Sequence, residues 1–328
     1  QLAALGELAD SGVVGFSDDG APVGSPAILR NALLYAGALG LPIVEHAEDL
    51  ALPEGAEANE GYVATVLGLR GWPVAAESGA VARDLAVLED VLRDEPRARL
   101  HLTHLSTARS LELVRRAKAA GLPVTCDVTP HHIALSDEWL AGARRWAWEA
   151  LGGDGRARDP WADGALVAAP YDPSLRVNPP LRSPEDAAGC LRALLDGTAD
   201  AIATDHAPHT RVDKEVEFGL AANGIGGLEM ALGLLVAVVD AGLLPLERAI
   251  WALTAGPASV LVERLGRPVG LIEGTPADLV VFDRSGSWTV APEALASRGR
   301  NTPLLGRELA GRVLLTVAGG RLAYAVPE

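Results

Sequence analysis

"DAIATDHAPH", residues 200–209, is a short apolar run that ends abruptly in Asp205, His206 and His209. The same arrangement recurs along the chain. "VVGF" (13–16) leads into "SDDG", "LPIVEH" (41–46) ends on His46, "ARLHLTH" (98–104) ends on His104, and "LPVTCDV" (122–128) leads into "TPHH". All seven histidines fall in these few stretches, which scattered surface histidines would not do.

Longer helical patterns separate the runs. Ser25 and Pro26 predict a helix start, with the helix running to about Gly40. Further helices are expected over 75–94, about 108–119 and near 184–195. Strand-like runs alternating with helical ones describe repeated βα units and a parallel sheet, an α/β fold. Each polar cluster falls at the C-terminal end of an expected strand, where the loops of a (β/α)8 TIM barrel converge on one mouth. An open nucleotide-binding sheet would want a glycine-rich phosphate loop after its first strand, and "GVVGFSDDG" offers two aspartates there. The expectation is therefore strands 4 to 8 of a barrel over residues 1–265. The other three βα units, about 90–100 residues in a barrel of this kind, are expected upstream of Gln1.

The remaining segments read as follows. Residues 142–164, rich in Gly, Asp, Arg and Trp, suggest an exposed loop or insertion. The apolar stretch 224–246 suggests a buried helix, since Glu229, Asp240 and Pro245 interrupt it too often for a membrane span. From 266 to 328, short β-branched runs at 270–283 and 311–324 predict part of a small flanking β-sandwich subdomain.

Composition narrows the function classes. With 28 basic and 43 acidic residues the net charge is −15, which disfavours nucleic acid and anionic membrane surfaces as partners. Two cysteines, Cys126 and Cys190, make neither a disulfide framework nor a thiolate metal site, and a reducing cytoplasm is the simplest setting. The first ten residues carry acids where a signal peptide has a basic region.

Asp19, His46, His104 and Asp205 each end a different expected strand, and carboxylate with imidazole is a ligand set suited to zinc. His101 and His104 are an odd number of residues apart, so on a strand only one faces the mouth, and His104 is chosen. Taken singly, each has an ordinary structural explanation: "SDDG" as a turn, "NPPLR" (178–182) as a stiff loop, "TPHH" as a helix entry, a lone histidine as a hydrogen-bonded core residue. Four of them in register with successive strands is the stronger pattern.

The ordered series "GFSDDG", "VEHAED", "NEG" (59–61), "AAESGAVARDL", "HLTHLST", "VTCDVTPHH", "VNPPLRSPED", "LLDGTADAIATDHAPHT", "GIGGLE", "GTPADLVVFD" and "NTPLLGRELAGRV" resembles the dihydroorotases of the amidohydrolase superfamily, in the class with a bridging aspartate. The resemblance implies a zinc-dependent cyclic amidohydrolase with one or two Zn2+ per chain, acting on a small-molecule substrate in pyrimidine synthesis. It implies Asp19 as the bridging carboxylate, with Asp18 as the fallback, and His46 and His104 as ligands. Asp205 would be both a metal-proximal carboxylate and the general acid/base. Asn178, His209 and the backbone around Gly224 and Gly226 would hold the substrate. The family's His-x-His metal motif and an early substrate-binding asparagine are absent and are expected upstream of Gln1. Asn223 in "AANGIGGLE" stands where the family carries an apolar residue.

Hydantoinases and allantoinases are the nearest enzymatic alternatives, but they bridge their metals with a carboxylated lysine, and the first lysine here is Lys118. A non-catalytic scaffold for aspartate transcarbamoylase is the alternative from another class. Manganese or cobalt would suit the same ligands. Homo-oligomerisation is left open.

Overall fold

The structure is a computed structural model that describes residues 2–261 and 269–326. Its strands are β1 (Phe16–Ser17), β2 (Ile43–Glu45), β3 (Ala58–Asn59), β4 (Gly71–Trp72), β5 (Leu100–Leu102), β6 (Val124–Val128), β7 (Ala201–Ile202), β8 (Leu279–Thr289), β9 (Glu308–Ala318) and β10 (Arg321–Ala325). Five form one parallel sheet in the order β1-β2-β5-β6-β7. The order follows the chain without reversal. Successive right-handed crossovers then put every helix on the same side, which curves a sheet into a barrel wall rather than a doubly wound layer. A small parallel pair, β3 with β4, stands apart from this sheet.

The helices over the sheet start and stop where their end residues dictate. Ser25 caps Pro26–Leu39, which Gly40 ends in the left-handed region at φ 71°. Thr107 caps Ala108–Ala119, and Ser183 caps Pro184–Asp196 before Gly197 at φ 82°. Between sheet and helices lies a buried aliphatic core that includes Leu29, Leu33, Leu88, Leu100, Leu102 and Val124.

Several expectations are corrected. The first strand begins at Phe16 rather than residue 13, because the Val13 amide is tied back to the Leu8 carbonyl and the ladder opens only with Phe16 N to Pro42 O at 3.1 Å. The helix expected over 224–246 spans only Ala231–Asp240, since Gly224 sits at φ 148° and no helix accommodates that angle. Residues 142–164 are only partly exposed. Ala143, Ala147 and Ala150 are buried, and Arg307 lies over the Trp146 ring at 4.1 Å, tying this stretch to the C-terminal region.

In that region β8, β9 and β10 form a three-stranded antiparallel sheet, and Gly319 and Gly320, both at positive φ, turn β9 into β10. The first of these strands starts at Leu279, later than the run from 270 suggested. The sheet packs closely on the helix Ala231–Asp240, where a Cβ on Gly233 would stand 2.9 Å from Leu309 Cβ. The expected boundary between 265 and 266 lies outside the described residues. Among the described residues no helix is long and apolar enough to cross a membrane.

Candidate metal centre

Asp19 follows β1, His46 follows β2 and His104 follows β5, so three neighbouring strands deliver the three side chains to one point. His46 Nδ1 and His104 Nε2 are 3.1 Å apart, and Asp19 Oδ1 lies 3.3 Å from His104 Nε2 and 3.7 Å from His46 Nδ1. A tetrahedral ion with bonds of about 2.0–2.1 Å separates its ligands by about 3.4 Å. The three atoms therefore fit around one ion, and among the described residues they are the group able to hold a metal.

The charge balance fits too. Hydrogen bonds from His104 and then His46 hold the Asp19 carboxyl well below its ordinary range. Burial works against a charge on His46, but Asp19 and Glu48 outweigh it and lift the imidazole to about 9.

Neighbouring carboxylates orient the ligands. Glu48 Oε2 accepts from His46 Nε2 at 3.1 Å, which leaves Nδ1 to face the cluster. Glu48 also accepts from Trp72 Nε1 at 2.9 Å and Asn178 Nδ2 at 3.0 Å. Asp127 accepts from the His104 backbone N–H at 2.6 Å, from His101 Nε2 at 2.8 Å and from Thr103 Oγ1 at 3.1 Å. That clamp matters because His104 sits at φ 41°, a sparsely populated backbone region for a residue with a Cβ. His104 lies beyond the end of β5, so this turn aims its side chain, and the alternation of faces along a strand does not. Asp18 turns away from the ligands, with Oδ1 accepting from the His46 amide and Oδ2 from the Val23 amide.

Asp205 stands outside the three-ligand group. It is largely buried, with its backbone also in the left-handed region at φ 43°. Burial raises its pKa, while the nearby His104 pulls the other way. Facing it is His131, whose Nε2 is 4.0 Å from Asp205 Oδ2. His131 is 2% exposed and neither of its ring nitrogens has a hydrogen-bond partner. Burial, then the neighbouring His132 and His104, hold it well below the ordinary imidazole range and therefore neutral. "TPHH" was the only signal for this residue in the sequence, and it also reads as the helix entry it is, Pro130–Ala134 capped by Thr129. Glu48 and Asp127 carried no signal beyond their place beside histidines.

The other expected substrate residues surround this point on loops. Asn178 is half-buried and bonded to Glu48. His209 Nε2 donates to the Asn223 carbonyl at 2.8 Å, and Asn223 Oδ1 accepts from Arg176 Nε at 3.1 Å. A Cβ on Gly224 would stand 2.6 Å from Ala207 Cβ and 2.9 Å from His209 Nε2, so the two loops touch only because that position is glycine. Gly226 has more room, and its amide donates to the Asn301 carbonyl at 2.9 Å.

The amidohydrolase family profile matches residues 2–323. A dihydroorotase of Anaeromyxobacter dehalogenans (strain 2CP-1) is 47% identical over 99% of this chain and 67% of its own length. One from Pelotomaculum thermopropionicum is 43% identical over 98% of this chain and 67% of its own. Among solved structures, an L-hydantoinase from Arthrobacter aurescens superposes with a TM-score of 0.78 at 24% identity, covering 99% of this chain and 67% of that one, a likeness of fold. The chain thus spans about two thirds of the length of these relatives. With a barrel-type parallel sheet, side chains at its strand ends that could hold a metal and this degree of identity, the chain belongs to the amidohydrolase family, among its dihydroorotases.

Proposed function

We propose that the protein is a metal-dependent dihydroorotase that interconverts N-carbamoyl-L-aspartate and (S)-dihydroorotate in pyrimidine synthesis. The convergence of Asp19, His46 and His104 within ligand distance of one another carries this reading, and identities of 40–47% to proteins named dihydroorotase support it. Asp19 would hold the metal where other cyclic amidohydrolases use a modified lysine, and the first lysine of this chain is Lys118.

A divalent ion bound there, zinc by preference for this ligand set, supplies Lewis acidity that acidifies water and polarises a carbonyl. The rest of the chemistry falls to the protein. In the hydrolytic direction a carboxylate oxygen of Asp205 accepts the proton of the attacking water as its oxygen adds to the ring carbonyl. Asp205 then gives that proton to the ring nitrogen as the carbon–nitrogen bond breaks. Burial, which favours the protonated carboxyl, helps Asp205 hold the proton between the two steps. Ring closure reverses the sequence. Neutral His131 faces the Asp205 carboxyl group, with Nε2 4.0 Å from Oδ2 and no hydrogen bond between them. Asn178, His209 and the backbone at Gly224 and Gly226 would hold the substrate, with Glu48 linking Asn178 to the ligand His46.

Turnover of dihydroorotate, hydantoin and allantoin by the intact protein, with metal content measured in parallel, tests the proposal. Preference for dihydroorotate with bound metal is expected. Faster turnover of either other substrate would overturn the substrate, and a protein with no metal and no turnover would overturn the enzyme.

A further inference from the structure

Residues 205–209 and 223–227 form the mouth of the site, yet they share only one isolated bridge, His206 with Ile225. Loops without a ladder of their own need their backbone groups satisfied from elsewhere. Lys214 Nζ reaches the Gly224 carbonyl at 3.1 Å and the Gly224 amide donates to the Arg176 carbonyl at 2.8 Å, but the one side chain that bonds both loops at once comes from the C-terminal region. Asn301, 6% exposed, accepts from the His209 amide at Oδ1 over 2.9 Å. Its Nδ2 donates to the Ala207 carbonyl at 2.9 Å and to the Gly224 carbonyl at 3.0 Å, while its own backbone carbonyl accepts from Gly226 N. The preceding chain is pressed against the same loop, since a Cβ on Gly299 would stand 2.6 Å from Pro208 Cβ.

We infer that Asn301 is a positioning residue for substrate binding, one that sets His209 and the Gly224–Gly226 backbone in register with each other. This rests on the dihydroorotase reading for what is bound, but the register itself is a property of the chain. Only a carboxamide supplies one acceptor and two donors from a single planar end. Aspartate at this position would keep the acceptor for His209 and lose both donors, leaving the Ala207 carbonyl without its donor and the Gly224 carbonyl with Lys214 Nζ, 3.1 Å away. Alanine would lose all three bonds. Asn301 bonds to none of the metal-ligand side chains, so its loss is expected to reach binding and leave the metal alone.

The test uses Asn301→Ala and Asn301→Asp in the intact protein, with two readouts. Peptide-level hydrogen exchange over 205–210 and 222–227 is expected to rise at least several-fold in both variants. The KM for dihydroorotate is expected to rise about tenfold, as loss of roughly one net hydrogen-bond contribution would give, with kcat within about threefold and metal content unchanged. A general structural defect would instead lower kcat and metal content together, and that result overturns the inference, as does unchanged exchange or unchanged KM. If the parent protein does not turn over dihydroorotate, the functional reading has failed, and exchange alone decides the inference: a rise confined to the two loops upholds it, no rise ends it. If Asn301→Ala does not fold, Asn301→Asp carries the same comparison.

Discussion

The metal cluster of Asp19, His46 and His104 and the mouth loops at 205–209 and 223–227 lie far apart in sequence and are held in different ways. His46 and His104 are buried and are oriented by carboxylates, Glu48 and Asp127, that accept from several donors each. His209, Gly224 and Gly226 are held largely by neutral amide and carbonyl groups of Asn223 and Asn301, with Lys214 Nζ adding a bond to the Gly224 carbonyl at 3.1 Å. Charge-assisted bonds to a buried carboxylate are shorter and stronger than neutral ones. The contrast is between a candidate centre braced by buried carboxylates and mouth loops braced mainly by amide and carbonyl groups.

The sharpest way to break this contrast is through Asp205, which sits on the mouth loop and is proposed as the acid/base. Asp205→Asn is expected to lower turnover by about 10²–10⁴ while metal content is unchanged, measured by steady-state kinetics with elemental analysis. Turnover within tenfold of the parent would remove Asp205 from its role. Next in size, Asp127→Asn is expected to weaken metal binding about 10–100-fold in a chelator competition, because the His104 turn loses its charged clamp. Metal affinity equal to the parent's would show that the left-handed turn at His104 holds without it.

A smaller effect comes from a buried acid that lacks such support. Asp137 accepts from Asn59 Nδ2 alone among side chains, and burial raises its pKa to about 7. The folded state therefore keeps the Asp137 proton at pH values where the unfolded chain, with a pKa of about 3.9, has released it. Its cost to stability is absent below pH 4 and grows as pH rises toward 7. Asp137→Asn is expected to be more stable than the parent by roughly 1–3 kcal/mol at pH 8, with the gain vanishing near pH 4, as read by urea denaturation at both values. Equal stability at pH 8 would mean that Asp137 is better satisfied than its single side-chain donor suggests.

The helix ends at Ser25 and Gly40 were legible in the sequence because capping is local chemistry, set by residues a turn apart, and the helices expected at about 108–119 and near 184–195 lie where the structure has Ala108–Ala119 and Pro184–Asp196. The parallel sheet was legible as apolar runs ending in polar clusters, and Asp19, His46 and His104 were legible as ligand types at the ends of those runs. Residues 142–164 and 224–230 were misread because composition and hydrophobicity do not show which loops are packed over. Their burial comes from contacts with distant residues such as Arg307 and from a glycine backbone angle at Gly224.

By itself, then, the sequence determined the alternation of strands and helices, where the helices begin and end, and which side chains could bind a metal. Those properties depend on neighbours within a few residues. Only the tertiary structure decided that a left-handed turn, not strand alternation, aims His104 at His46, that Asp18 braces the backbone while Asp19 faces His46 and His104, and that Asn301 reaches Gly224 across 77 residues. Each of these depends on distances between segments remote in the chain, which the folded sheet and its loops alone create.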